Sequence, residues 1–307
     1  MSAGAALEFT GERFTPECVR EIWYEHFHRY ALVHAWARGR RVLDAACGEG
    51  YGSGLLAEVA ESVLGLDIDP TAVAHANARY GERSNLRFEQ ADATKLDLPA
   101  GKFDLVVSFE TLEHVEAQDA LLDGLVHALS AEGLLVISSP DKATYSDAAG
   151  FRNEFHVREL YRDEFETLLR RRFPYVRVYA QRLLFQSAIW SVDPPSLDAP
   201  AHYATSGRDG QVESGLGYAP MYYIAVCSRQ PLPALPAASW FGDRDETVYQ
   251  HYNHEIRKNM AAGARIAELE AQLEAALQRE RAAADELQRT AAALRRPWWR
   301  RWASRAD

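Results

Sequence analysis

From Arg41 to Arg229, short apolar runs alternate with segments of helical periodicity, and this alternation restricts the fold more than any other feature. The apolar runs are RVLDAAC, SVLGLDI, LRFEQAD, FDLVVSF, GLLVISSP, YVRVYAQRL and MYYIAVCS. Between them, residues 52–60, 70–80, 116–129 and 158–172 carry apolar residues at helical spacing. Strands that are apolar almost throughout belong to a sheet covered on both faces, and strand–helix alternation makes that sheet parallel. The last two runs have no helical pattern between them. Residues 186–219 intervene instead, rich in Pro, Gly and Ser, and a loop of that length in a compact domain is usually functional, often a lid, and otherwise disordered.

The flanks differ in texture. In residues 1–39, Val19, Ile22, Trp23, Phe27, Tyr30, Ala31 and Val33 recur at near-helical spacing, which predicts a helix in the segment that precedes the 40–230 domain. Residues 231–243 read as a Pro/Ala linker. Residues 244–296 then turn to Ala, Glu, Arg and Leu. With Ile266, Leu273, Glu280, Leu287 and Leu294 at a positions, Leu269, Ala276, Ala283 and Thr290 fall at d, an imperfect coiled-coil seam that predicts self-association over a solitary solvated helix. The 297–307 tail interleaves Trp298, Trp299 and Trp302 with arginines. From Leu294 onward five arginines stand against one aspartate, a net charge of +4.

Over all 307 residues the formal charge is −10, which excludes a dedicated nucleic-acid binder, since that role needs a basic footprint. Three cysteines, Cys18, Cys47 and Cys227, show no pairing pattern, and no signal peptide or membrane-spanning run is read; a reduced, cytoplasmic setting is expected.

The turn Gly48-Glu49-Gly50-Tyr51-Gly52 closes the first strand. Glycine allows left-handed backbone and close approach of a ligand, and the helix start beyond offers N–H groups to an anion. Two nucleotide-like cofactors use this geometry. A dinucleotide fingerprint would need a third glycine where Ser53 stands, and an apolar residue where Asp44 lies in the strand. A buried acid there suits a ligand bearing an ammonium. No Gly-Lys-Ser/Thr follows, so a P-loop is excluded. Asp67, 19 residues past Gly48 at the second strand's end, is placed to accept from ribose hydroxyls of either cofactor. Asp92, at the tip of the third strand, suits an adenine amine or an ordinary turn acid equally.

In order and spacing, VLDAACGEGYGS, VLGLDID, EQADATKLDLP and FDLVVSFETLEHV resemble the class I S-adenosylmethionine-dependent methyltransferases across residues 40–230. The resemblance implies a Rossmann-like α/β fold with a seven-stranded sheet, helices on both faces and the last strand antiparallel. It implies S-adenosylmethionine as cofactor, with Asp44, Gly48 and Gly50 at the methionine end, Asp67 at the ribose, Asp92 and Ala93 at the adenine, and Phe109 and Glu110 beside the sulfonium. FTGERFTPE, EIWYEHFHRYALV and NEFHVRELYRDEFETLLRRRF further resemble methyltransferases of bacterial polysaccharide and glycosyltransferase gene clusters. In that group the N-terminal helix closes over the donor, which brings Tyr24, Arg29 or Tyr30 toward its carboxylate or the acceptor, although Tyr30 also fits simple packing.

Methyl transfer to oxygen needs an aligned acceptor and a base. The candidates are His156, Glu110 and His114, with Glu113, Asp141 and Glu154 nearby in sequence. Glu110, His114 and Asp141 do not have diagnostic metal spacing, and no metal is expected. The implied acceptor is a sugar hydroxyl or terminal phosphate of a cell-surface glycan, with Trp190, Tyr203 and Tyr218 as platforms. A small molecule such as a quinone precursor or secondary metabolite is the alternative acceptor, and a non-catalytic scaffold the alternative class. The expected partners are a second copy through the coiled coil, and a glycosyltransferase or the anionic inner face of the plasma membrane through the tail.

Overall fold

The computed structural model describes residues 21–184, 186, 204–206 and 211–295. The chain divides into two units, Met1–Gly242 and Asp243–Asp307.

The first unit is built on a seven-stranded sheet. Its members are β1 (Arg41–Ala45), β2 (Ser62–Asp67), β3 (Leu86–Gln90), β4 (Phe103–Ser108), β5 (Leu129–Pro140), β6 (Tyr175–Gln181) and β9 (Tyr222–Ser228), in the order β3-β2-β1-β4-β5-β9-β6. Neighbours from β3 to β5 pair in parallel, whereas β9 runs antiparallel to both β5 and β6. That is the expected Rossmann-like sheet with its antiparallel last strand. Since β1 pairs with both β2 and β4, the chain reverses its lateral direction across that gap, and ligands of open α/β sheets bind beyond the strand ends at such a switch.

The unbroken apolar runs are explained by burial on two faces. Leu43, Val106, Leu135, Ile137, Ala225 and Cys227 join one core with Leu121, Leu125 and Phe165 of α4 (Gln118–Ala128) and α5 (Arg162–Arg170). Val42, Leu105, Val107, Val136, Ile224 and Val226 join the other with Val33, Leu56 and Val73 of α1 (Glu21–His34), α2 (Tyr51–Leu56) and α3 (Pro70–Tyr80). Successive strand residues point to opposite faces, so each strand feeds both cores. Asp69 caps α3 by accepting the Thr71 N–H at 2.7 Å, with Pro70 in the first turn. Asp69→Ala is therefore expected to cost about 1 kcal/mol, read as a lower urea midpoint; an unchanged midpoint would show the cap contributes nothing.

Two segments differ from the sequence reading. Within the 186–219 loop, Ala204–Ser206 (β7) and Val212–Ser214 (β8) pair as a small antiparallel hairpin; Trp190 and Tyr203 lie outside the described residues. The Pro/Ala segment is packed rather than a free linker: Leu232 and Leu235 lie against the second core, the Tyr179 hydroxyl donates to Pro236 O at 2.8 Å, and Phe241 stacks on His28 of α1. Fixed φ at its prolines lowers the entropy lost in that docking.

In the second unit, Thr247–Leu294 form one helix, α6. Its seam residues Ile266, Leu269, Leu273, Leu287 and Leu294 are exposed. The Trp/Arg tail lies outside the described residues. Among the described residues no helix is long and apolar enough to cross a membrane.

Candidate active site

The Gly-rich turn leaves β1 at the switch point. Ala46, Gly48 and Gly50 all take positive φ, of 63°, 58° and 91°, so three left-handed residues in five fold the chain back before α2 begins. Glu49 between them is fully buried, and its carboxylate meets His75 Nε2 and the Tyr80 hydroxyl, each at 3.1 Å, with Arg79 at 3.6 Å. The turn is thereby tied to α3. This anchor was not read from the sequence, because an acid between glycines looks like an exposed loop residue.

Asp44 is fully buried in β1, but its carboxylate is not left open. Ser53 Oγ donates to it at 2.6 Å and the Tyr30 hydroxyl at 3.1 Å. Tyr30 thus packs, as its place on the apolar stripe of α1 predicts, and also joins α1 to β1. A Cβ on Gly52 would run into the Tyr30 ring, so the glycine is what admits it. Burial pushes the Asp44 carboxyl up to about 7 against the two hydrogen bonds, and the charge of Asp67 adds to the rise.

Asp67 accepts from Gly48 N at 2.8 Å and from Asp69 N at 3.0 Å, which clamps the end of β2 to the turn. Ile68 beside it is 65% exposed. Asp92 opens a short turn before Ala93–Lys95, accepting from Thr94 N, the Thr94 hydroxyl and Lys95 Nζ; these bonds hold its carboxyl down at about 2. The turn-acid role is present, at the β3 tip beside β2.

Across the switch, Phe109 packs edge-on to Tyr30, and Glu110 takes φ 49° directly after β4. Ser138 of β5 donates to Glu110 Oε1 at 2.7 Å and accepts the Glu110 N–H at 3.0 Å. Arg29 of α1 reaches the same place. It is 1% exposed, donates to Gln181 at 2.8 Å, lies 3.6 Å from Glu110, and sits over the Tyr222 ring at 4.5 Å. Its Nη1 and Nη2 have no hydrogen-bond acceptor among the described residues. Tyr24, grouped with it by sequence, is buried against Trp23 and Phe241 instead.

The catalytic candidates gather next to Glu110. Glu113 and His114 lie on the turn Leu112–His114, and the His114 and His156 rings meet edge to face at 4.9 Å. His156 Nδ1 bonds Glu159 at 2.5 Å, an interaction not anticipated. Glu113 is buried, and its carboxyl is pushed well above its ordinary value, first by burial and then by the charge of Glu110. Asp141 does not join them: it accepts from Ala143 N and the Thr144 hydroxyl, so the grouping of Glu110, His114 and Asp141 gives way to Glu113, His114 and His156. Glu154 is exposed.

Residues 43–137 match the family described as "Methyltransferase domain". The match runs from β1 to β5 and takes in the Gly-rich turn. A relative from Mycobacterium tuberculosis, named "Probable S-adenosylmethionine-dependent methyltransferase", is 38% identical over 168 residues, 54% of this chain and 60% of the relative. One of the same name from Mycolicibacterium smegmatis is 38% identical over 169 residues, 54% of this chain and 64% of the relative. The "Ubiquinone biosynthesis O-methyltransferase" of Azorhizobium caulinodans is 27% identical over 131 residues, 42% of this chain and 52% of that protein. The chain thus spans about three fifths of the length of its mycobacterial relatives.

Proposed function

We propose that the protein transfers a methyl group from S-adenosylmethionine to an oxygen of a cell-surface glycan under assembly, a sugar hydroxyl or a terminal phosphate. The donor half is carried by Arg29, a buried guanidinium beside Glu110 with two nitrogens lacking acceptors among the described residues. A buried polar group without a partner is costly, and the donor's carboxylate supplies what Arg29 lacks. Asp44 supplies negative potential for the donor's ammonium from within β1, and Gly48 and Gly50 shape the turn around it. Asp67, at the end of β2 against the turn, would accept from the ribose hydroxyls. Ile68 offers the adenine an apolar face, Asp92 and Ala93 border its amine edge, and Phe109 and Glu110 flank the sulfonium.

When bound, the cofactor supplies a methyl group on a cationic sulfur, whose carbon–sulfur bond breaks in line as the acceptor oxygen bonds to the carbon. The chain's own task is to align that oxygen and accept its proton. Glu110, His114 and His156 border the acceptor side, where Tyr145 stacks on His156 at 5.2 Å, and Phe151 and Tyr218 of the same unit are exposed. Exposed aromatic faces suit the apolar faces of sugars. In this reading the protein works in the cytoplasm, α6 pairs with a second copy along its seam, and the tail joins the assembly to an anionic membrane face or to a glycosyltransferase. The relative named for ubiquinone biosynthesis favours a second reading, a small-molecule acceptor.

Radiolabelled S-adenosylmethionine, the full-length protein and an envelope extract from a strain lacking the gene separate these readings. Label in the glycan fraction, lost with Asp67→Ala, is the expected result. Label confined to the solvent-soluble fraction overturns the glycan acceptor in favour of a small molecule. No label, with donor binding intact, overturns the enzyme in favour of a scaffold.

A further inference from the structure

Next to the donor side, one carboxylate oxygen of Glu113 and one ring nitrogen each of His114 and His156 lie within 4.8 Å of one another. We propose that these three side chains bind a divalent first-row transition cation of the zinc and manganese class. Two imidazoles and one carboxylate select such ions over magnesium or calcium, which prefer oxygen throughout.

The histidines are turned for ligation. His114 Nδ1 faces Phe155 O at 3.0 Å, and His156 Nδ1 faces Glu159 Oε1 at 2.5 Å. A carbonyl and a carboxylate can only accept, so each Nδ1 carries a hydrogen, and in the neutral imidazole Nε2 then carries the lone pair. Orientation by an acceptor behind the ring is the usual support of metal-binding histidines. His156 Nε2 lies 3.1 Å from Asn153 Nδ2, an amide that the cation displaces.

Glu113 gives the independent observation. It is 1% exposed, and neither carboxylate oxygen has a hydrogen-bond partner among the described residues. A buried carboxylate without donors is expensive, and a cation at this point removes the cost.

The scaffold holds the two ligand-bearing segments together. Glu113 O accepts from Val157 N at 2.8 Å and from Arg158 N at 3.0 Å, while Gln118 Nε2 bridges Leu112 O and Arg158 O. Metal–ligand bonds of roughly 2.0–2.2 Å require the three atoms to close in by about 1 Å, within the reach of side-chain rotation. The remaining coordination positions take the acceptor oxygen, lowering the pKa of its hydroxyl. That role rests on the methyl-transfer reading, whereas the binding site does not.

The test uses full-length protein freed of metal by chelator and dialysis, titrated calorimetrically with Zn²⁺ and separately with Mn²⁺, with metal content measured after gel filtration. One equivalent is expected, with affinity at least about tenfold weaker in Glu113→Gln and in His156→Asn. His254→Ala, on exposed α6, is expected to bind as the unaltered chain does. Absence of stoichiometric metal, or equal affinity in all variants, overturns the site. S-adenosylmethionine affinity measured on the same samples keeps the readings apart: metal binding without donor binding defeats the methyl-transfer reading alone, and donor binding without metal defeats the cation alone.

Discussion

Arg29→Lys is expected to weaken S-adenosylmethionine binding by about 10- to 100-fold while affinity for the decarboxylated donor stays close to that of the unaltered protein. The charge-assisted bonds a carboxylate would make to the buried guanidinium are worth about 1.5–3 kcal/mol each, and each 1.4 kcal/mol is tenfold in affinity. Lysine keeps the positive charge that Glu110 and Glu25 both face, so the buried carboxylates are not stranded. It loses the planar fork that bonds Gln181 and points two further nitrogens into the site. The decarboxylated ligand is the control for structural damage: a fold defect lowers both affinities, and the loss of a carboxylate clamp lowers one. Equal losses for both ligands would place the carboxylate elsewhere.

How far this could be read from the residues depends on what each one does alone and what it does with a distant neighbour. The sheet was legible because strands covered on both faces cannot hide their apolar runs, and because a crossover without helical periodicity leaves an antiparallel strand. Residues 70–80 form a helix with the expected bounds, since Asp69 and Pro70 mark its start in local sequence. By contrast β5 reaches back to Leu129, where α4 passes into the strand without a turn residue to mark the join. The hairpin at 204–206 and 212–214 has no apolar alternation to announce it. In the site, Asp67 and the glycines lie where motif order puts them, because their geometry is set by local backbone. Asp44 was expected to face a ligand directly. Its two hydroxyl donors come from Tyr30 and Ser53, and a pairing between α1 and β1 leaves no periodic trace. The same holds for Glu113, which the sequence offers as one acid among several and only the fold places, buried, beside His156.

Asp44→Asn is expected to make the ligand-free protein more stable at pH 8 and leave it nearly unchanged at pH 4. In the folded chain burial holds the carboxyl at about 7, against an ordinary 3.8. Between those values the folded state keeps a proton that the unfolded state has released, so stability falls as pH rises through this window and levels off above 7. The gap corresponds to about 4 kcal/mol at 1.36 kcal/mol per pH unit, an upper figure because the hydroxyl donors and the backbone relax around the charge. Asparagine is nearly isosteric, still accepts a hydroxyl bond, and has no proton to lose. Urea midpoints at pH 4, 6 and 8 should therefore diverge steadily between the two proteins, and parallel profiles would show that Asp44 titrates normally. The cofactor should reverse the comparison. An ammonium near Asp44 favours the ionised carboxylate, so the stabilisation that S-adenosylmethionine gives the unaltered protein should grow from pH 6 to pH 8 and be small in the asparagine variant. A carboxylate that weakens the empty fold and strengthens the filled one is what a buried strand acid contributes to a ligand it never has to touch.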